Sequence, residues 1–381
     1  MRAMVFATVL ACALACAATA QKKPFEINTQ TPEGALLQTA GQENDQAKQT
    51  ALYEEFLQKY PKHDGVVVAA TALQAIYTKA GNADKVMQMA DVILTADPSN
   101  ATIGYTALQA AEQKKDYAAI KIWAVKTVEA AKKGLAVPKP SDENDAEDWA
   151  KDQDYAKQMI VRCEYSLATA VMQSDDPKVK ADLGDALMQI NPDSQYIAGV
   201  TPHYLYGLMQ AGRGADAAAA AEKLLTKDKT NDDLMAVVAD YSLSAKSFEK
   251  AYTYATMLVE TLKKKGAPEG TDPAAWEKTK ATKMARGGFI AGSAAYEQKK
   301  WADADTSLRA ALPLMQDNKD LLAPTYFYLG FANHELARTA KATVRAAILA
   351  DAKRFTKACA EIKGPLQGAC QKNLEGLQAG R

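Results

Sequence analysis

The chain has 381 residues, 48% of them hydrophobic and 24% charged, enough to bury a substantial core and too apolar for a disordered polymer. Lys+Arg and Asp+Glu both number 46, which excludes the basic excess expected of a duplex-binding protein and gives no acidic tail. With only 14 Pro and 21 Gly, and Ala, Lys, Gln, Leu and Met abundant between them, the composition favours helices over a strand-rich sandwich or barrel.

Residues 1–20 read as an export signal. Arg2 supplies the positive start, Met4 to Cys16 is uncharged and apolar, and Ala18-Thr19-Ala20 offers the small residues cleaved before Gln21. The run is too short and too soon followed by Lys22-Lys23 to span a membrane, and no later run approaches the roughly 18 apolar residues required. A lipid anchor is the competing expectation, because Ala13-Leu14-Ala15-Cys16 and Val9-Leu10-Ala11-Cys12 resemble lipoboxes, although the first lacks the preferred large residue and the second leaves a very short signal. The mature chain is expected to be periplasmic or secreted, with no transmembrane span.

Residues 21–33, rich in Gln, Thr, Asn and Pro, are expected to be an exposed leader. A repeating pattern follows. One unit reads Ala72-Leu73-Gln74-x-x-Tyr77, Gly81-Asn82-Ala83-Asp84, an apolar-periodic stretch through Val86, Ala90 and Ile93, then Asp97-Pro98; a later one reads Tyr326-Phe327-Tyr328-Leu329-Gly330. These resemble the tetratricopeptide repeat. The resemblance implies an all-α fold of tandem antiparallel helix pairs stacked into a right-handed superhelix, an α-solenoid.

Equivalent positions on the second helices fall at Gln49, Val86, Ile120, Lys180, Ala217, Ala251, Ala304 and Ala342, at intervals of 37, 34, 60, 37, 34, 53 and 38 residues. The family period is about 34 residues, and the recurrence of a long interval every third step suggests a duplicated module of three pairs. Lys132-Lys133-Gly134 and Lys264-Lys265-Gly266 share one phase, each before a Pro-bearing insertion, and Trp149 and Trp276 open the helix that follows. Gln74 and Leu205 depart from the Gly or Ala that the family prefers. The expected organisation is a first module over 34–134, an insertion over 135–148, a second module over 149–266, an insertion over 267–273, a third, shorter module over 274–363 and a capping helix over 364–381. Pro177, Pro202 and Pro324 suit first turns of helices.

Catalytic chemistry is missing from the motifs. His63, His203 and His334 are not at helical ligand spacing, and His334-Glu335 continues to Arg338 where a zinc-protease helix needs a second His. No phosphate loop and no nucleophile elbow occurs, so neither an enzyme nor a cofactor is expected. Cys359 and Cys370 bracket Gly364-Pro365, either as a disulfide stapling the C-terminal cap or as two buried thiols. Cys163 reads as a buried small residue, and the sequon Asn100-Ala101-Thr102 as a chance spelling.

The family's first helices line a concave groove. Carried onto this chain, that implies a partner surface of Arg162, Tyr165, Thr169, Met172 and Gln173, then Tyr206, Met209 and Gln210, then Asp240, Arg286, Phe289 and Tyr296, and finally Phe327, Phe331 and His334. About half of these should instead pack inside, as aromatic stripes at helical spacing usually do. The expected function is an exported, non-catalytic scaffold for a protein or peptide partner, with no nucleic acid. Tyr53-Glu54-Glu55-Phe56-Leu57-x-x-Tyr60-Pro61 resembles segments of envelope repeat proteins that serve outer-membrane assembly or the Tol-Pal system. The alternatives are a transport-associated protein binding a small ligand near Trp149 and Trp276, and a structural outer-membrane lipoprotein.

Overall fold

The computed structural model describes residues 27–316 and 318–379; the signal, both lipobox cysteines and the start of the leader lie outside them. The chain divides into two compact units, residues 27–170 with 186–196, and residues 171–185 with 197–379. The first holds α1 (Pro32–Gln42), α2 (Gln46–Lys59), α3 (Val66–Lys79), α4 (Ala83–Ala96), α5 (Ala101–Lys114) and α6 (Tyr117–Leu135). Helices α7 (Glu143–Gln173) and α8 (Pro177–Ile190) contribute to both. The second continues with α9 (Ile197–Gln210), α10 (Gly214–Leu225), α11 (Asp232–Ser244), α12 (Phe248–Lys264), α13 (Pro273–Glu297) and α14 (Trp301–Ala311). A 3-10 turn at Leu312–Met315 leads to α15 (Lys319–Thr339), α16 (Ala342–Glu361) and α17 (Gln367–Gln378). Among the described residues there is no strand, and none of the helices is long and apolar enough to cross a membrane.

Helices α1 to α6, and again α9 to α17, each pack on their sequence neighbours, and the first helix α13 also touches the first helices α11 and α15. This is the all-α array of antiparallel pairs that the repeat implies. Helix starts are set by short polar side chains: Asp45, Asn82, Asn100, Asp116, Asn231, Asp272 and Asn318 each accept from a first-turn N–H. The sequon asparagine, Asn100, thus caps α5, its Oδ1 accepting from Ile103 N at 3.3 Å. Two helices begin earlier than their prolines suggest. Pro202 and Pro324 sit inside α9 and α15 rather than at their starts, where the missing N–H removes only one bond of the ladder.

The joins between first and second helices follow a rule. A helix leaves its last carbonyls without intrahelical partners, and a tight reversal must satisfy them. Five joins do so with a left-handed residue: Gly81 (φ 68°), Lys115 (φ 53°), Gly212 (φ 75°), Lys246 (φ 57°) and Lys299 (φ 58°). The next N–H in each reaches back five residues, from Asn82 to Tyr77 O (2.9 Å), Asp116 to Ala111 O (3.0 Å), Arg213 to Leu208 O (2.8 Å), Ser247 to Ser242 O (2.8 Å) and Lys300 to Ala295 O (2.9 Å). This is the Schellman arrangement. In all five pairs the fourth residue of the second helix is apolar and buried: Val86, Ile120, Ala217, Ala251 and Ala304.

The other three joins lack a left-handed residue, and there the fourth residue is a donor. Gln49 Nε2 donates to Ala40 O (3.1 Å) and Glu43 O (3.2 Å) at the end of α1, and Lys180 Nζ donates to Val171 O (3.0 Å) near the end of α7. Arg345 donates to Ala340 O (3.1 Å) after α15. The last position corrects the sequence alignment, which places Ala342 in phase: Ala342 is exposed at the first residue of α16, and the buried face of that helix starts only at Ala352.

The order of joins is side-chain donor, Gly, Lys, then again side-chain donor, Gly, Lys. Gln49 to Lys180, Gly81 to Gly212 and Lys115 to Lys246 are each 131 residues apart. The insertion proposed over 135–148 contains the turn after α6 and the first residues of α7, and Trp149 Nε1 donates to Val137 O (2.8 Å) across it. Its counterpart Trp276 is buried in the first turn of α13.

Two substitutions test this account. Ala251, fully buried among Ala239, Ala255, Ile290 and Ala294, has no room to grow, so Ala251→Leu should lower stability by about 1–3 kcal/mol, read as a lower denaturant midpoint. Lys246→Gly removes the Cβ from a left-handed position and should raise stability by about 0.5–1 kcal/mol in the same titration.

Candidate functional site

The surface residues expected from the repeat fall into two groups. On α7 and α9, side chains on the face turned away from the helix seam stand in solvent: Tyr165, Tyr206 and Met209 are each 52% exposed and Met172 is 48% exposed. Arg162, Gln173 and Gln210 are exposed, and Thr169 is half-buried. Tyr165 stands edge-on to Tyr196 with ring centroids 5.7 Å apart.

Arg162 stands out by its lack of partners. Among the described residues Arg213, Arg286, Arg309, Arg338 and Arg354 hold carboxylates and Arg345 caps α15, whereas Arg162 makes neither an ion pair nor a hydrogen bond. It lies one turn from Tyr165 and close enough to Tyr105 of α5 to act on its phenol. Burial holds that phenol above its ordinary pKa, and the Arg162 charge works against the rise. An unpaired guanidinium framed by tyrosines offers a directional donor fork beside rigid apolar area.

The second group lies on α11, α13 and α15. Arg286 Nε donates to Asp240 Oδ1 at 2.9 Å, so these two charges neutralise each other. Phe289, Tyr296, Phe327 and Phe331 are half-buried in an aromatic cluster with Tyr328 and Trp301. Tyr296 is its hub, with ring centroids 4.5 Å from Tyr328, 5.5 Å from Trp301 and 5.5 Å from Phe331. Burial is the main cause that raises the phenol pKa of Tyr296 and Tyr328, keeping both neutral. His334 is half-buried with Nδ1 3.7 Å from Glu335, and Glu335 is held by Arg338 at 3.1 Å, so the acid of the His-Glu-x-x-Arg stretch is paired within its own helix. Among the described residues no cluster of His, Cys, Asp and Glu could hold a metal.

Sequence reasoning passed over Tyr105, Tyr196 and Trp301. Tyr105 precedes the Leu and small-residue seam of its helix by a single turn, a spacing that could have drawn attention to it. Tyr196 precedes α9 and Trp301 starts α14, so helical phase gives no signal for either.

Cys359 of α16 and Cys370 of α17 form a disulfide with Cα atoms 5.8 Å apart, both fully buried under Tyr326, Phe327 and Leu366. Cys163 is a buried free thiol whose pKa burial pushes up to about 12, leaving it unreactive at neutral pH.

No family model matches the chain, and no curated protein matches it. Among solved structures it is similar to the crystal structure of the yeast Tom70, at 10% identity over 92% of this chain and 96% of that one, with a TM-score of 0.22. It is also similar to the crystal structure of the P58(IPK) TPR domain, at 10% identity over 92% of this chain and 98% of that one, with a TM-score of 0.25. The fold assignment rests on the helix order, the joins and the helix contacts themselves.

Alkylation of the unfolded, non-reduced protein should tag Cys163 alone among the described cysteines. Tags on Cys359 and Cys370 as well would remove the staple, and with it the expectation that reduction loosens α17 before the rest of the array.

Proposed function

We propose that this protein is an exported, non-catalytic helical-repeat scaffold that binds a protein or peptide through the exposed faces of its first helices, in the service of cell-envelope assembly. The observation that carries the reading is Arg162: an unpaired guanidinium beside the exposed Tyr165, in a chain whose other described arginines are all engaged. Interfaces concentrate binding energy in such Tyr and Arg anchors. In the second unit Met172, Tyr206 and Met209 offer exposed, adaptable apolar area of their own. Export is supported by the signal-like residues 1–20 and by a disulfide, a bond that persists in oxidising compartments.

Arg162→Gln, Tyr165→Ala and Tyr206→Ala, made singly, should each change stability by no more than about 0.5 kcal/mol, since none of these side chains is buried. In-cell crosslinking followed by mass spectrometry should show the partner lost from them. Phe289→Ala should instead unfold early, by about 2–4 kcal/mol, because its ring fills the space between α13 and α15. Three stable variants that capture the partner as well as the parent chain does would overturn the assignment of this surface.

A further inference from the structure

A cavity of about 480 Å3 lies in the second unit at the end of α12. Its lining includes Met235, which is 1% exposed and whose Sδ accepts from Thr261 Oγ1 at 3.7 Å, and Met257, which is 41% exposed. Lys264 and Lys265 at the end of α12 and Lys229 from the turn before α11 form the rim.

The charges around it do not cancel. Glu260 is the carboxylate in the lining; Lys263 holds it at 2.7 Å and the Lys264 charge also acts on it. Lys265 is bound to the buried Asp232, which Lys283 also holds at 2.6 Å while reaching Asp233 at 2.6 Å. Burial works to raise the pKa of Asp232, but hydrogen bonds from Lys265 and Lys283 prevail and keep it below its ordinary value, so the carboxylate stays ionised. Asp228, beside Lys229 in the turn, is a further carboxylate, held below its ordinary pKa by hydrogen bonds from Thr230 and Asn231 and close enough to Lys265 to feel its charge, so five lysines face four carboxylates. Lys229 and Lys264 are left without an ion-pair partner among the described residues.

The first copy of the module lacks this arrangement. Subtracting the 131-residue offset puts Pro98 where Lys229 is, Gly104 at Met235, Lys126 at Met257 and Gly134 at Lys265. There a Cβ on Gly104 would lie 2.7 Å from Thr127 Oγ1, so the helices close where the second copy keeps a methionine. Lys126 is occupied by Asp91 and lies over the ring of Trp123. Two copies with the same joins thus differ at Lys229, Met235 and Met257, while the position of Lys264 keeps a lysine, Lys133, in the first copy.

We propose that this cavity binds an amphipathic anion: a carboxylate or phosphate-monoester head held by Lys229 and Lys264, with an unbranched apolar chain laid along Met235 and Met257. The volume lies in the range of small-ligand sites, and unbranched thioether side chains adapt to a flexible chain. The site is independent of the partner surface on α7 and α9.

The test is methyl NMR on the full chain carrying 13C-labelled methionine methyl groups, titrated with dodecanoate, dodecyl phosphate or the uncharged dodecanol, each below its micelle concentration. Saturable shifts of the Met235 and Met257 methyl resonances are expected with at least one anion, and the tighter anion identifies the head group. Dodecanol should bind at least about tenfold more weakly, as should the preferred anion to a Lys229→Gln/Lys264→Gln double variant of unchanged melting temperature. Equal binding of dodecanol, equal affinity of the double variant, or no saturable shift at the two methionines would each overturn the site.

Discussion

The end of each first helix is where the array is decided. A helix cannot reverse direction tightly without stranding carbonyl groups, and a buried stranded carbonyl costs more than most single contacts return. Two answers recur. A left-handed residue lets the backbone satisfy itself, which frees the fourth residue of the next helix to be small or apolar and to enter the core, as Val86, Ala217 and Ala304 do. Without that residue, the fourth side chain must supply the donor, and Gln49, Lys180 and Arg345 each do. The seam between helices, the starting cap of the second helix and the register of the pair all follow from which answer a join uses.

This constraint explains what could be read in advance. Helical phase repeats because the backbone of the join repeats, so the five buried positions in Schellman pairs were legible from spacing. Gln49 and Lys180 were found in the right phase but look like decay of the repeat when the sequence is all one has, because the carbonyls they serve become visible only in three dimensions. The final pair shows the opposite failure. Ala342 satisfies the preference for a small residue, whereas the geometry is satisfied by Arg345, a residue that a search for small side chains passes over.

The candidate surface divides for a similar reason. Tyr165, Tyr206, Phe289 and Phe331 share chemistry and helical phase, yet the first two stand about half in solvent and the last two are drawn into a cluster of rings from neighbouring helices. Helical phase tells which way a side chain leaves its own helix. It does not tell whether the neighbouring first helix carries Tyr328 opposite. Asp240 and Arg286 make the same point with charge: 46 residues separate two groups that neutralise each other, and no local pattern links them.

The disulfide between α16 and α17 gives the chain a mechanical direction. In a repeat array each helix is held chiefly by its neighbours, so a terminal helix is ordinarily the first to peel under load. Here force applied at the C-terminal end can peel only the turns of α17 beyond Cys370 before it passes through the Cys359–Cys370 bond into the last turn of α16. Once those turns are drawn out, tension from that side is carried into α16, where Phe355 and Cys359 are packed against α15, whereas α1, with no covalent tie to α2 beyond the chain itself, can be unzipped turn by turn along its whole length.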